Sequence, residues 1–155
     1  MIAKQTSIHS PLNMPTNKSD LNKLTKLGKK AQAERTLEVF PNHAPGKMTI
    51  TLNCKEFTCL CPLTHQPDYA QIDIIYIPDK FVVESKSMKL YLETYRNTGV
   101  FHEHLAVDIA EDFVKFVKPL SVHVIVHFNV RGGIAISADY HWEKSNPSKL
   151  QVEEK

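Results

Sequence analysis

Nine consecutive residues, from Val122 to Val130, alternate without a break. Val122, Val124, Val126, Phe128 and Val130 hold one set of positions, and His123, Ile125, His127 and Asn129 hold the other. A period of two sends successive side chains to opposite faces of a strand, so this run suits a strand with one buried face and does not suit a helix. Two further stretches behave alike. Met48, Ile50 and Leu52 alternate with Thr49, Thr51 and Asn53, and Ala70 to Ile77 places Ile72, Ile74 and Tyr76 on one face. Ile75 and Ile77 on its other face imply that both sides are partly covered. Gly132-Gly133 forms a turn, after which Ile134 and Ile136 start a last strand.

Between the two strand pairs the period changes to that of a helix. Glu84-Ser85-Lys86-Ser87 opens one helix, with Ser85 or Ser87 as its cap, Met88, Leu92 and Tyr95 as its apolar stripe, and Asn97-Thr98-Gly99 as its end. A second helix is expected from His102 to Val117, with Leu105, Ile109, Phe113 and Phe116 inward and Pro119 as its stop. Lys80 to Val83 reads as an extended link. The order is strand, strand, helix, helix, strand, strand. Such segregation implies an α+β fold, an antiparallel four-stranded sheet with two helices on one face. Four strands leave edges open, and Val122 to Val130 carries few features that blunt an edge, so an oligomer built by edge pairing is expected.

The 155 residues suit one domain, here residues 37–143. Residues 1–36 are expected to form a polar, loosely ordered extension, in which Leu21, Leu24 and Leu27 have the spacing to line one side of a short helix that Gly28 would end, and residues 144–155 form a polar tail. A formal charge of +2 does not by itself imply nucleic acid or an anionic membrane. No run reaches the roughly 18 apolar residues of a membrane span. The first thirty residues lack a continuous apolar stretch, so no secretory signal is expected. An odd count of three cysteines, with Cys59 and Cys61 too close for an easy mutual disulfide, suits a reduced, cytoplasmic setting.

The chemistry gathers in Phe57 to Asp68. A free cysteine is more often a buried small apolar residue than a nucleophile. Cys61, however, precedes Pro62 in a loop, near His65 and His102, which can favour its thiolate, and near Asp68. Cys54 falls on the apolar side of its strand, and Cys59 alternates with Cys61 and points away from it. Cys59, Cys61, His65, His102 and His104 are also enough ligands for zinc, although the Cys-x-Cys spacing is not that of a zinc knuckle. Asp68 is either a turn cap or, if burial raises its pKa, a proton donor. Glu84 and Glu103 stand in first helical turns, where the helix dipole favours a carboxylate. With His102, they can also accept from the N–H and amino edge of a guanine-like base. Lys86 and Lys89 share a helix face and are either solvated charge or a phosphate site, to which Arg131 beside Gly132 can add.

Five ordered blocks carry a family resemblance. Glu84-Ser85-Lys86-Ser87-Met88-Lys89-Leu90-Tyr91 resembles the signature of the NADPH-dependent 7-cyano-7-deazaguanine reductases, the QueF-type nitrile reductases of queuosine biosynthesis. Phe57 to Pro62, Gln66-Pro67-Asp68, Phe101-His102-Glu103 and Phe128 to Gly133 resemble that family's other blocks in the same order. The resemblance spans Leu37 to Ile136 and its single-module subfamily. It implies the tunnelling fold, with pockets between subunits of a homo-oligomer of two stacked pentameric rings, and no direct contact with nucleic acid or membrane. It implies Cys61 as the nucleophile that forms a thioimide and Asp68 as the general acid. Val83, Glu84, Ser85, His102 and Glu103 would hold the deazaguanine, and Lys86, Lys89, Arg131 and Gly132 the NADPH, with no metal. The implied product is 7-aminomethyl-7-deazaguanine, formed with two NADPH although no Gly-x-Gly-x-x-Gly fingerprint occurs. His65 stands where the family often has glycine, and His104-Leu105-Ala106 is unusual after the His-Glu pair. A zinc-dependent pterin or purine ring hydrolase on the same fold, and a non-catalytic purine-binding ring subunit, remain as alternatives.

Overall fold

A computed structural model describes residue 24 and residues 32–145. Apart from Leu24, the helix expected over Leu21 to Leu27 lies outside the described residues, as does most of the C-terminal tail. The described elements are β1 (Val39–Pro41), β2 (Ile50–Leu60), β3 (Pro67–Ile77), β4 (Phe81–Val83), α1 (Ser85–Glu93), a 3-10 turn (Thr94–Asn97), α2 (His102–Val117), β5 (Ser121–Phe128) and β6 (Ser137–Glu143). Four of the strands form an antiparallel sheet in the order β2-β3-β5-β6, and β1 pairs with β4 as a separate two-stranded ribbon.

The helices cover one face of the sheet. Ile72, Ile74 and Tyr76 of β3 and Val122, Val124 and Val126 of β5 are almost wholly buried on that face. Leu105, Ile109, Phe113 and Val117 of α2 meet them, with Tyr76 and Phe113 edge to face at 4.7 Å. The last inward residue of α2 is Val117, whereas Phe116 is half-buried. Lys118 takes a left-handed conformation, φ 53°, and Pro119 cannot continue the helix.

Several expectations change in detail. Lys80 to Val83 is not a bare link, because Phe81 to Val83 pairs with Pro41 to Val39. The cap of α1 is Glu84 rather than either serine. Its carboxylate accepts the N–H groups of Lys86 at 2.9 Å and Ser87 at 2.7 Å. Ser87 instead accepts the Glu38 N–H through its hydroxyl, at 2.7 Å. The last strand begins at Ser137, and Val130 lies beyond the end of β5 with 68% exposure.

The edge argument also moves. β5 is paired on both sides, so its unbroken alternation belongs to an interior strand. Among the described residues, the open backbone edges of the sheet belong to β2 and β6. The register of β2 against β3 shifts between Cys54 and Phe57. Such a bulge resets the alternation. Phe57 and Cys59 consequently turn into the core, leaving Lys55 and Glu56 exposed.

Candidate active site

Phe57 to Asp68 is less a loop than a hairpin. β2 runs on to Leu60 and β3 starts at Pro67, with Cys59 opposite Asp68. Cys61 therefore sits directly after the last residue of β2. Its N–H donates to the Gln66 carbonyl at 2.9 Å, and the His65 N–H donates back to the Cys61 carbonyl at 3.0 Å. His65 closes this turn with φ 55°, the left-handed region that favours glycine. Behind the turn, Leu60 pairs with residues on either side of Gly99, donating to Thr98 O and accepting from Val100 N at 3.0 Å each. A Cβ on Gly99 would lie 2.8 Å from Pro62 Cα, so the approach depends on glycine.

That clasp delivers the start of α2 to the hairpin. His102 Nε2 lies 3.1 Å from Asp68 Oδ2. The His102 ring stacks on Phe128 with centroids 3.6 Å apart and planes 10° apart, which sets its direction. Asp68 is only 4% exposed. The third contributor is the β5–β6 turn, in which Arg131 and Ile134 exchange backbone hydrogen bonds across Gly132 and Gly133, both at positive φ. Arg131 Nη1 donates to both oxygens of Asp68, at 2.7 and 3.0 Å, while Nη2 donates to Gln66 Oε1 at 3.1 Å and Thr64 Oγ1 at 3.4 Å.

The two cysteines differ sharply. The Cys61 thiol is lowered from 9.0 to about 6, first by the Thr64 hydroxyl, then by the N–H groups of Thr64 and Leu63, with a smaller contribution from the Arg131 guanidinium. Hydrogen bonds to the anion favour the charged form. Cys59, wholly buried, is pushed up to about 11 by desolvation and by the negative charge of Asp68 and Cys61. One cysteine is a thiolate at neutral pH and the other an inert core residue.

The expected site residues thus divide. Cys61, Asp68, His102 and Arg131 come together, and Glu103 follows His102 in the exposed first turn of α2. His102 and Arg131 also line a hollow of about 240 Å³ with Asn129, Ile134 and Ile136. Val83 and Glu84 are buried at the β4–α1 junction, with both Glu84 oxygens engaged by the helix. Ser85 and Lys89 line a different space, a groove of about 700 Å³ between β2 and α1. Arg131, expected with Lys86 and Lys89 on cofactor phosphates, grips Asp68. Gly132 supplies turn geometry at φ 58°, and a Cβ there would meet no atom within 4 Å.

Three residues were missed. Thr64 and Gln66 contact Arg131, and Phe128 supports His102. Thr64, three residues past Cys61 in a proline-bearing turn, carries the one legible signal, since such hydroxyls bond locally. Among the described residues, no group of three or more His, Cys, Asp or Glu side chains is arranged to hold a metal ion.

The family model for QueF-like protein matches residues 67–147. An NADPH-dependent 7-cyano-7-deazaguanine reductase of Syntrophus aciditrophicus is 47% identical over 135 residues, covering 86% of this chain and 96% of that protein. The protein of the same name from Frankia casuarinae is 52% identical over 116 residues, covering 74% and 92%. Among solved structures, the apo archaeosine synthase QueF-Like superposes with a TM-score of 0.56 at 23% identity, covering 66% of this chain and 99% of that one, a likeness of fold. With nearly the whole length of these relatives matched at about half identity, the chain belongs to the family of NADPH-dependent 7-cyano-7-deazaguanine reductases.

Proposed function

We infer that the chain reduces the nitrile of 7-cyano-7-deazaguanine to the aminomethyl group of 7-aminomethyl-7-deazaguanine, with two NADPH. The observation that carries this reading is the Cys61 thiolate beside the Asp68–His102 pair. A nitrile carbon is a weak electrophile, and thiolate addition divides one difficult reduction into easier steps. The Cys61 sulfur forms a bond to the nitrile carbon as one π bond of the nitrile opens. The proton held between His102 Nε2 and Asp68 Oδ2 passes through Asp68 to the nitrogen, and the product is a neutral thioimide. After the first reduction the carbon–sulfur bond breaks, Cys61 leaves as thiolate, and an imine remains for the second reduction.

NADPH, when bound, supplies the hydride for each reduction. The β2–α1 groove suits such a ligand. It has an apolar floor of Leu52, Phe57, Met88 and Leu92, and Ser85, Lys89 and Arg96 supply a hydroxyl and two cations. Pockets for ligands of this size commonly have several hundred cubic ångströms and mostly apolar walls. Lys86 and Lys89 hold the phosphates in this reading. His102 and Glu103 hold the deazaguanine, with Val83, Glu84 and Ser85 as further pocket residues.

Groove and thiolate are separate within one chain, so the reading calls for a homo-oligomer that apposes them. The open β2 and β6 edges support head-to-tail pairing, which closes into rings, here two stacked pentamers. Among the described residues, no helix is long and apolar enough to cross a membrane. A cytoplasmic setting suits a reaction that needs a free thiol.

The experiment is to mix the protein with 7-cyano-7-deazaguanine in the absence of NADPH and record the intact mass. A covalent adduct is expected, and it disappears in Cys61→Ala. Preparations that oxidise NADPH with the nitrile yet form no adduct, or an adduct that survives in Cys61→Ala, overturn the mechanism.

A further inference from the structure

The fork of Arg131 spans three alternate positions of one hairpin. Nη1 takes both oxygens of Asp68, and Nη2 reaches Gln66 and Thr64. A planar guanidinium presents its donors at fixed angles, so groups bound by one fork are held in register with one another. Asp68 is the proposed acid. Thr64 carries the hydroxyl that does most to stabilise the Cys61 thiolate. Because Arg131 donates into the Thr64 oxygen, the hydroxyl hydrogen is left to point at sulfur. Gln66 offers its backbone carbonyl to the Cys61 N–H, so Arg131 also anchors the far side of the turn. Cys61 and Asp68, in turn, hold the guanidinium charged.

We propose that Arg131 is a positioning residue, which locks the thiol-bearing turn and Asp68 into the geometry for nitrile addition, a role that does not depend on the cofactor. The proposal rests on the nitrile-reductase reading for its chemistry, but its geometry does not. The step it serves is the first, in which sulfur bonds to carbon and the nitrogen gains a proton, and no NADPH takes part. Arg131 comes from the β5–β6 turn, so the whole assembly depends on two hairpins meeting. A lysine keeps the charge and loses the fork.

The titratable groups on the elements that meet at the thiol are Cys59 on β2, Asp68 on β3, His65 in the turn, His102 and Glu103 at the start of α2, and Arg131 itself. Arg131→Lys, Arg131→Ala and Gln66→Ala are compared with the full-length wild type in three measurements. These are the pH profile of Cys61 alkylation by iodoacetamide, read on the Cys61 peptide, the rate of nitrile adduct formation without NADPH, and the KM for NADPH.

Adduct formation is expected to slow by about tenfold or more in both Arg131 variants, the fall that corresponds to roughly 1.4 kcal/mol. The alkylation midpoint should rise from near pH 6 toward the ordinary thiol range in Arg131→Ala. The KM for NADPH is the control, because a phosphate contact alone would raise it and leave the adduct rate, measured without NADPH, unchanged. Gln66→Ala, which removes one anchor and no charge, should slow the adduct with little change in the midpoint. It keeps the test decisive if Arg131→Ala fails to fold.

A wild-type adduct rate and alkylation profile in Arg131→Lys and Gln66→Ala overturn the proposal. So does a tenfold rise in the KM for NADPH with adduct formation intact, which returns Arg131 to the cofactor. Wild type that alkylates near pH 6 but never forms the adduct refutes the nitrile reading instead, and the alkylation profiles still decide the role of Arg131.

Discussion

Arg131 and Asp68, 63 residues apart in sequence, form a two-pronged ion pair with contacts of 2.7 and 3.0 Å. Asp68 is 4% exposed and lies opposite Cys59 in the register of β2 and β3, while Arg131 rides on the turn after β5. The pair ties the thiol-bearing hairpin to the far hairpin, and His102 adds the helix. A removed partner would leave a buried charge uncompensated, which is costly. The site is therefore also a structural joint.

The two cysteines impose opposite pH dependences. Cys61 is depressed to about 6, so its thiolate is present above that value. Adduct formation should rise with pH through a midpoint near 6 and then level off, as an alkylation profile would also read. Cys59 is raised to about 11, against an ordinary thiol value of 9.0. Its neutral form stabilises the folded chain below about pH 9, and that contribution is lost as pH rises toward 11, because the unfolded chain ionises first. The melting temperature should decline over that window, and Cys59→Ala should lose this part of the decline.

Glu84→Ala removes both acceptors of the α1 cap. A lost cap costs about 0.5–2 kcal/mol, so denaturant unfolding should show a fall in that range. Glu84→Gln retains one carbonyl acceptor and should lose less. If Glu84 also holds the deazaguanine, Glu84→Gln raises the KM for the nitrile, whereas an unchanged KM confines it to the helix.

His65→Gly relieves a left-handed residue in the active turn. The left-handed state costs a residue with a Cβ about 1–2 kcal/mol, and the added freedom of glycine in the unfolded chain offsets about 0.4–1 kcal/mol. Urea unfolding should show stability unchanged or raised by about 1 kcal/mol, with the adduct still formed. A clear loss of stability would mean that the imidazole itself bonds within the turn.

Gly99→Ala should be harmful although the residue is exposed. The new methyl meets the backbone of Pro62 at 2.8 Å, and a backbone atom cannot rotate aside. Crowding of this kind costs about 1–3 kcal/mol. The nitrile adduct should form more slowly, because the clasp holds the Cys61 turn against the approach to α2. Wild-type adduct rates would show that the turn is seated from elsewhere.

The periodic segments were legible because burial imposes them. Ile72-Ile74-Tyr76 and Leu105-Ile109-Phe113 each line one face, at the period of their element, and the structure keeps both. Where local pattern conflicts with partners, reading in order falls short. Val122 to Val130 looked like a strand with an exposed edge, yet β5 is paired on both sides, because strand order is not written in any one strand. Phe81 to Val83 is too short to show a period and becomes a strand only by meeting β1. Glu84 outcompeted its neighbouring serines as a cap because its longer carboxylate reaches two N–H groups at once.

The amino-acid sequence alone determined the element order, the α+β class, the membership of the family, and Cys61, Asp68 and His102 as candidates, since each rests on residue type, period or motif. Tertiary structure decided which of those candidates touch. It set Arg131 against Asp68, brought Thr64 and Gln66 to the same fork, and made Cys61 acidic and Cys59 inert although they are two residues apart. The physical reason is that a thiol's pKa and a cation's partner are set by burial and hydrogen-bond geometry within a few ångströms, and the β5–β6 turn enters that radius only after the sheet has formed.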